Sequence, residues 1–279
     1  MKTRLIHWKW RLFWLGGLLL LWLLCSGVAM ASPLIDRVAA YPDWHHKPPV
    51  QAVGDRDLIY PDWFAGGWQV TTTLVDMLAP LAPEVMTPGF TGNRQFLDQP
   101  VSFRVRFVQM ATPQRGLGLG DRTATQTATQ LVSDRAYNGK QVAAAYLGDR
   151  AVLNVKVDPK NPNRQITLLR GDQRLVSIGV GRDTASPNVD QFVTSELFKQ
   201  EFRGTDTIYF NEVENTTVYT RQKEAKNTEP AIVADQMTAI YLSPQDPDYF
   251  KTVRRGKPLS DPQPVALYRY RMEFYPDPA

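Results

Sequence analysis

From Trp68 onward the dominant hydrophobic period along the chain is two residues. Trp68, Val70, Thr72 and Leu74 alternate with Gln69, Thr71, Thr73 and Val75, and Val101, Phe103, Val105 and Phe107 alternate with Ser102, Arg104, Arg106 and Val108. Successive side chains of a strand point to opposite faces, so each segment predicts one buried and one solvated face. The pattern returns through 151–157, 166–169, 175–180, 207–214, 217–221, 231–242 and 265–275, with Gly171-Asp172 as a hairpin turn between two of these runs. Two stretches fit a helix: Asp134 to Leu147, rich in alanine, and Val193 to Phe202, where Leu197, Phe198, Glu201 and Phe202 share a helical face. A succession of strands with few crossover-length connections predicts antiparallel pairing. A long meander must deal with its edges, and closure into a barrel does so most simply. The expected fold is all-β with minor α content: a single antiparallel β-barrel domain over residues 58–279.

Residues 32–57 carry Pro33, Pro42, Pro48 and Pro49 with polar residues between, which predicts an extended, proline-rich leader without a helix. Tyr41-Pro42-Asp43-Trp44 returns as Tyr60-Pro61-Asp62-Trp63, and the two are expected to be similar turns that each bury a Trp against the barrel. Ahead of the leader, Lys2, Arg4, Lys9 and Arg11 precede an apolar run from Leu12 to Leu24 and then Ala29-Met30-Ala31. A basic start, a short apolar region and a small-x-small exit predict a signal peptide, residues 1–31, cleaved after Ala31. An uncleaved membrane anchor is the alternative, because the apolar run can be extended to Val28. Cys25 follows Leu24, where lipoprotein processing needs a small side chain, so no lipid anchor is expected.

Charge and cysteine content narrow the function classes. Lys and Arg number 32 against 28 Asp and Glu, but the four cations of the signal region precede the first acid, Asp36, and without them both signs stand at 28. Nucleic-acid binding therefore has no electrostatic footprint. Cys25 is the only cysteine, so cleavage leaves no thiol, disulfide or thiolate metal site.

Candidate chemistry is sparse. The histidines are His7, His45 and His46, none within 58–279, so a Ser-His or Cys-His nucleophile is not expected in the barrel. Adjacent histidines point to different sides of an extended chain, which argues against metal binding by His45 and His46. Glu212 and Glu214 share one strand face and, with Glu196 and Glu201, read as solvated surface acids. Arg115 to Arg122 is glycine-rich but lacks the Lys-Ser/Thr of a phosphate loop, and reads as an inter-strand connection. No catalytic residue, metal or required cofactor is assigned. The connection from Leu78 to Pro100 is more informative, because it is long and carries Leu81, Val85, Met86 and Phe90 among Pro80, Pro83 and Pro88. These apolar residues either line the ceiling of a ligand cavity or cap a filled core.

Gly66-Gly67-Trp68 at the mouth of the first strand resembles the Gly-x-Trp signature of lipocalins and their calycin relatives. The resemblance implies that Trp68 closes the narrow end of the barrel and that Arg269 or Arg271, from the last strand, packs across it. The stretch Tyr60 to Gly66, with Ala79-Pro80-Leu81-Ala82-Pro83 and Thr87-Pro88-Gly89-Phe90, resembles more specifically an uncharacterised domain family of cyanobacteria and plant chloroplasts. That likeness implies a photosynthetic host and a thylakoid-lumen or periplasmic destination, and it carries no catalytic residues. Together these readings lead to an expected lipocalin-like binding protein for a small apolar ligand such as a pigment, quinone or lipid. The alternative is a non-catalytic assembly or scaffold protein of a photosynthetic membrane complex. The sequence leaves the oligomeric state and the ligand open.

Overall fold

Alternation at period two is realised as strands that all join one antiparallel sheet. The computed structural model describes residues 32–54, 56–114, 126–204, 208–226, 228–259 and 261–277, so the expected signal peptide and the glycine-rich stretch 115–122 lie outside the described residues. The strands are β1 (Gln51–Ala52), β2 (Gly66–Leu78), β3 (Pro100–Gln114), β4 (Gln126–Ser133), β5 (Val152–Asp158), β6 (Asn161–Leu169), β7 (Arg174–Asn188), β8 (Gln191–Arg203), β9 (Tyr209–Arg221), β10 (Ile232–Leu242) and β11 (Ala266–Pro276). The helices are α1 (Pro33–Ala39), the single turn α2 (Phe90–Asn93) and α3 (Arg135–Leu147).

The spatial order is β4-β3-β2-β11-β10-β9-β8-β7-β6-β5, with β1 added to β7. This is an up-and-down meander whose first and last long strands pair, as they do in a barrel, and whose ladder is interrupted between β4 and β5. The sheet is therefore a curled half-barrel, and the expectation of full closure is corrected. Two elements fill the interruption. The connection carrying α3 packs against β3 on one side and β5 and β6 on the other. The segment from β1 to Tyr60 runs from the edge of β7 to β4, where the Tyr60 N–H donates to the Leu131 carbonyl at 2.8 Å.

Two further expectations need correction. Val193 to Phe202 is part of β8, because its alternating Val193, Ser195 and Leu197 against Thr194, Glu196 and Phe198 completes the ladders of β7 and β9. The leader is not wholly extended, since α1 starts at Pro33, a residue whose fixed φ suits a first helical turn. Other signals translate directly. Asp134 caps α3 by accepting from the Tyr137 N–H at 3.0 Å. Gly171 and Asp172 adopt φ of 78° and 57°, the left-handed pair that a tight hairpin with right-handed strand twist requires.

Cross-strand partners share a face, so the register sorts the side chains. Phe192, Tyr219, Ala234, Met272, Thr72 and Val101 lie in one row on the concave side. Below them Phe64, from the turn Asp62–Phe64, fills the bottom of the half-barrel together with Trp68, Val70, Phe103, Phe107, Ile232 and Phe274. Phe64 is fully buried and its ring lies 4.9 to 5.0 Å from those of Tyr60, Phe107 and Tyr219. On the convex side, Trp44 packs with Met237, Ala239, Tyr241 and Leu267, covering β10 and β11 from outside.

Candidate functional site

Above the aromatic floor the concave face changes character. Moving up the strands, Gln236 stands beside Thr217 and Tyr270, then Thr238 beside Asn215 and Tyr268, then Ile240 beside Val213. The Thr238 hydroxyl donates to Asn215 Oδ1 at 2.7 Å, so part of this polar band is satisfied within the sheet. Gln236, Tyr270, Asn215, Phe198 and Ile240 all face inward yet stay half-buried, unlike the sealed residues of the floor. The same is true of α3, which spans the opening with no buried residue along its length. Arg135, Gly139, Val142 and Tyr146 recur at helical spacing on its inner side. At Gly139 a Cβ would come within 2.6 Å of the Gln165 amide nitrogen, so the Gln165 side chain lies close over the helix and would have to shift for a larger residue. The concave face opposite α3 thus presents aromatic rings, aliphatic groups and a few amides and hydroxyls that are only partly covered.

Its two ends differ in charge. At the seam, Arg135 donates to Asp57 at 2.9 Å and approaches Glu196 at 3.4 Å, and Arg182 donates to Glu196 at 2.9 and 2.6 Å. Arg182 also donates to Asn163 Oδ1 at 3.0 Å, and the Asn163 amide donates to the Arg56 carbonyl at 2.9 Å, tying the strap between β1 and Tyr60 to the sheet. Burial works against the Arg135 charge, but Glu196 and Asp57 outweigh it, so its pKa lies above the ordinary guanidinium value. Glu196 is thus a half-buried structural anion and not the solvated acid expected. At the other end, the Tyr209 hydroxyl and Asn211 Oδ1 are buried with no hydrogen-bond partner among the described residues. Asn211 shares the concave face with Leu242 and Gln200. No group of three or more His, Cys, Asp or Glu with metal-binding geometry occurs among the described residues.

Residues 52–277 match the family described as Domain of unknown function (DUF6816). The chain belongs to that family. No curated protein matches the chain. No solved structure matches it either.

The DUF6816 match contains the whole half-barrel from β2 onward, whereas α1 and the turn through Trp44 precede it. That preceding arm docks on the convex face of the DUF6816 sheet through a buried ion pair. Arg37 Nε and Nη2 donate to the two carboxylate oxygens of Glu214 at 3.0 and 2.6 Å. The hydroxyls of Tyr241 and Thr216 each donate to the same carboxylate at 2.8 Å. The Trp44 ring stacks 3.8 Å from the guanidinium and its Nε1 donates to the Arg37 carbonyl at 2.8 Å. Lys47 pairs with Glu212 at 2.6 Å. Glu212 and Glu214, expected to be solvated, are therefore buried beneath the arm. His45 and His46 are exposed beside it.

The residues singled out from sequence divide. Trp68 is buried and donates from Nε1 to the Phe64 carbonyl at 2.7 Å, and Gly66 adopts a φ of 100° at the strand entrance. Arg269 and Arg271 do not pack across Trp68, because the alternation of β11 puts them on the convex face. Arg269 is bidentate to Asp235 and lies 5.9 Å from the Tyr41 ring, and Arg271 pairs with Glu273 at 2.9 Å. In the loop, Phe90 is buried against Tyr268, and Val85 is buried with Leu242, Tyr249 and Val265, with Leu81 packed alongside. Met86 turns outward. The half-buried, inward-facing residues beneath α3 carry no motif; only their register, invisible before the strand pairing is known, distinguishes them.

Proposed function

We propose that the chain is a binding protein whose half-barrel holds a small, largely apolar molecule, such as a pigment, quinone or lipid, in the hollow beneath α3. The observation that carries this reading is the half-exposure of inward-facing side chains. Phe198, Ile240, Tyr270 and Tyr146 supply apolar and aromatic surface, and Asn215, Gln236 and Thr238 supply a few oriented polar groups, the usual balance of a small-molecule site. The unpartnered Asn211 Oδ1 offers an acceptor to a hydroxyl or N–H of the ligand. Pairing of β2 with β11 supports the calycin-like side of the reading, and the composition of residues 1–31 supports export to a thylakoid lumen or periplasm.

The test is to purify the protein from its host, record its absorption spectrum and intact mass, and then titrate the stripped protein with an apolar fluorophore such as anilinonaphthalene sulfonate. Gln236→Trp, which fills the hollow from the middle of β10, is expected to weaken binding at least about tenfold with thermal stability retained. Unchanged binding by this variant would remove the hollow as the site and transfer the reading to an assembly or scaffold protein of a membrane complex.

A further inference from the structure

The loops that roof the upper end of the half-barrel carry a surface that ligand binding in the hollow does not use. Its anchor is Tyr249, buried with Val85, Leu242 and Val265, whose hydroxyl donates to the Leu259 carbonyl at 2.6 Å. Three large apolar side chains surround that anchor and point into solvent: Phe250 is 67% exposed, Leu259 64% and Met86 48%. The Phe250 ring lies 5.7 Å from that of Tyr249, Leu259 is tied to the Tyr249 hydroxyl, and Met86 directly follows the buried Val85. Single exposed apolar residues are ordinary, but three held around one anchored ring form a defined patch.

The same loop is cationic. Between Tyr249 and Leu259 stand Lys251, Arg254, Arg255 and Lys257 with no acid, and all four are exposed. Lys251 pairs with Asp248 at 2.7 Å, whereas Arg254, Arg255 and Lys257 make no ion pair among the described residues. Asp246, Asp248 and Asp261 flank the loop, so the cationic excess is confined to Arg254, Arg255 and Lys257. Apolar tips that enter the headgroup boundary, flanked by cations that meet phosphates, are the two requirements of a peripheral contact with an anionic bilayer. An acidic protein would answer the cations but not the separated apolar tips, and a neutral bilayer would answer the tips alone.

We infer that this end of the half-barrel docks on an anionic lipid bilayer, with Met86, Phe250 and Leu259 in the interface and Arg254, Arg255 and Lys257 against lipid phosphates. The inference stands on the loop surface and does not require the hollow to hold a ligand. If both are correct, docking sets the roof of the hollow against the membrane from which an apolar molecule would come.

The experiment is flotation of the chain from Ser32 on, whose described residues form one compact unit from Leu34 with their own cores. The probes are vesicles of phosphatidylcholine alone and vesicles with about a third phosphatidylglycerol. Binding is expected only to the anionic vesicles and is expected to fall steeply with added salt. Arg254→Ala/Arg255→Ala/Lys257→Ala should weaken partitioning about 100-fold, roughly fivefold for each charge. Phe250→Ser/Leu259→Ser should weaken it about tenfold. Equal binding to both vesicle types, insensitivity to the charge variant, or retention on an acidic protein without vesicle binding would each overturn the inference. The salt titration needs no variant, so a misfolded mutant leaves the test intact.

Discussion

Replacement of Arg37 by Met removes the one cation that pairs with Glu214 among the described residues, a carboxylate whose side chain is 0% exposed beneath α1. The carboxylate accepts four hydrogen bonds, two from Arg37 and one each from Tyr241 and Thr216. Breaking a buried pair from one side costs about 3–5 kcal/mol, because a charge is left without its partner. The two remaining hydroxyl donors hold the loss to the lower end of that range, and loss of the guanidinium over Trp44 adds about 1 kcal/mol. The expected sum is about 4 kcal/mol, a large part of the total stability of a domain. Urea denaturation followed by tryptophan fluorescence reads it. The double variant Arg37→Met/Glu214→Gln should recover at least half of the loss, since an uncharged amide keeps its hydroxyl partners. A single-variant loss below about 1 kcal/mol, or strict additivity of the two single variants, would refute the coupling of arm and sheet.

Phe64→Ala should cost about 3–5 kcal/mol in thermal or chemical unfolding, because the ring is the central filler of the aromatic floor and its neighbours come from strands that cannot collapse together; a loss under about 1 kcal/mol would contradict that role. Burial raises the phenol pKa of Tyr60, Tyr219, Tyr241 and Tyr270, that of Tyr219 to about 12 against an ordinary 10.0. The unfolded chain gives up these protons first, so their contribution to stability is complete below about pH 10 and declines above it, that of Tyr219 being lost as pH rises through about 12. Absorbance at 295 nm should show these tyrosines ionising together with unfolding, and their titration near pH 10 in an intact fold would count against the burial.

Period-two alternation was a sufficient guide to β2 and β3, where one face is sealed and the other solvated. It is ambiguous in β8, where Leu197 and Phe198 are adjacent and both partly buried, one on the convex face and the other on the concave, so the segment also satisfies a helical stripe. Glu212 and Glu214 depart from the expected solvated face for a different reason. Two acids two residues apart look the same on a solvated face and on a covered one, and the cover is Arg37, 177 residues upstream of Glu214. A signal did exist in the arm: Leu34, Arg37, Val38 and Tyr41 fall on one helical face, and the neighbouring prolines obscured it. The inward-facing set beneath α3 is the least legible part, since it is fixed by register across successive strands and by the placement of α3 over the interruption. The apolar residues of the loop Leu78 to Pro100 signal contact with the sheet end, whether over a cavity or a filled core, but inward and outward positions within it follow from contacts with the distant Tyr249, which no local pattern reveals.

Where the sheet is interrupted decides how its interior can be reached. A meander whose terminal strands had come apart would open by unzipping a ladder and would risk exposing a sticky edge at each cycle. Here β2 and β11 are stitched together, and the Asp277 N–H still donates to the Gly67 carbonyl at 3.0 Å past the last strand. The break lies mid-chain, and one of the two elements that fill it is a helix whose own backbone bonds are complete without the sheet. With no residue of that helix buried, its displacement breaks side-chain contacts and a few polar links at one end, and leaves every strand pairing intact. Amide exchange along α3 should therefore proceed by local opening while the β2–β11 ladder waits for the whole fold to come apart.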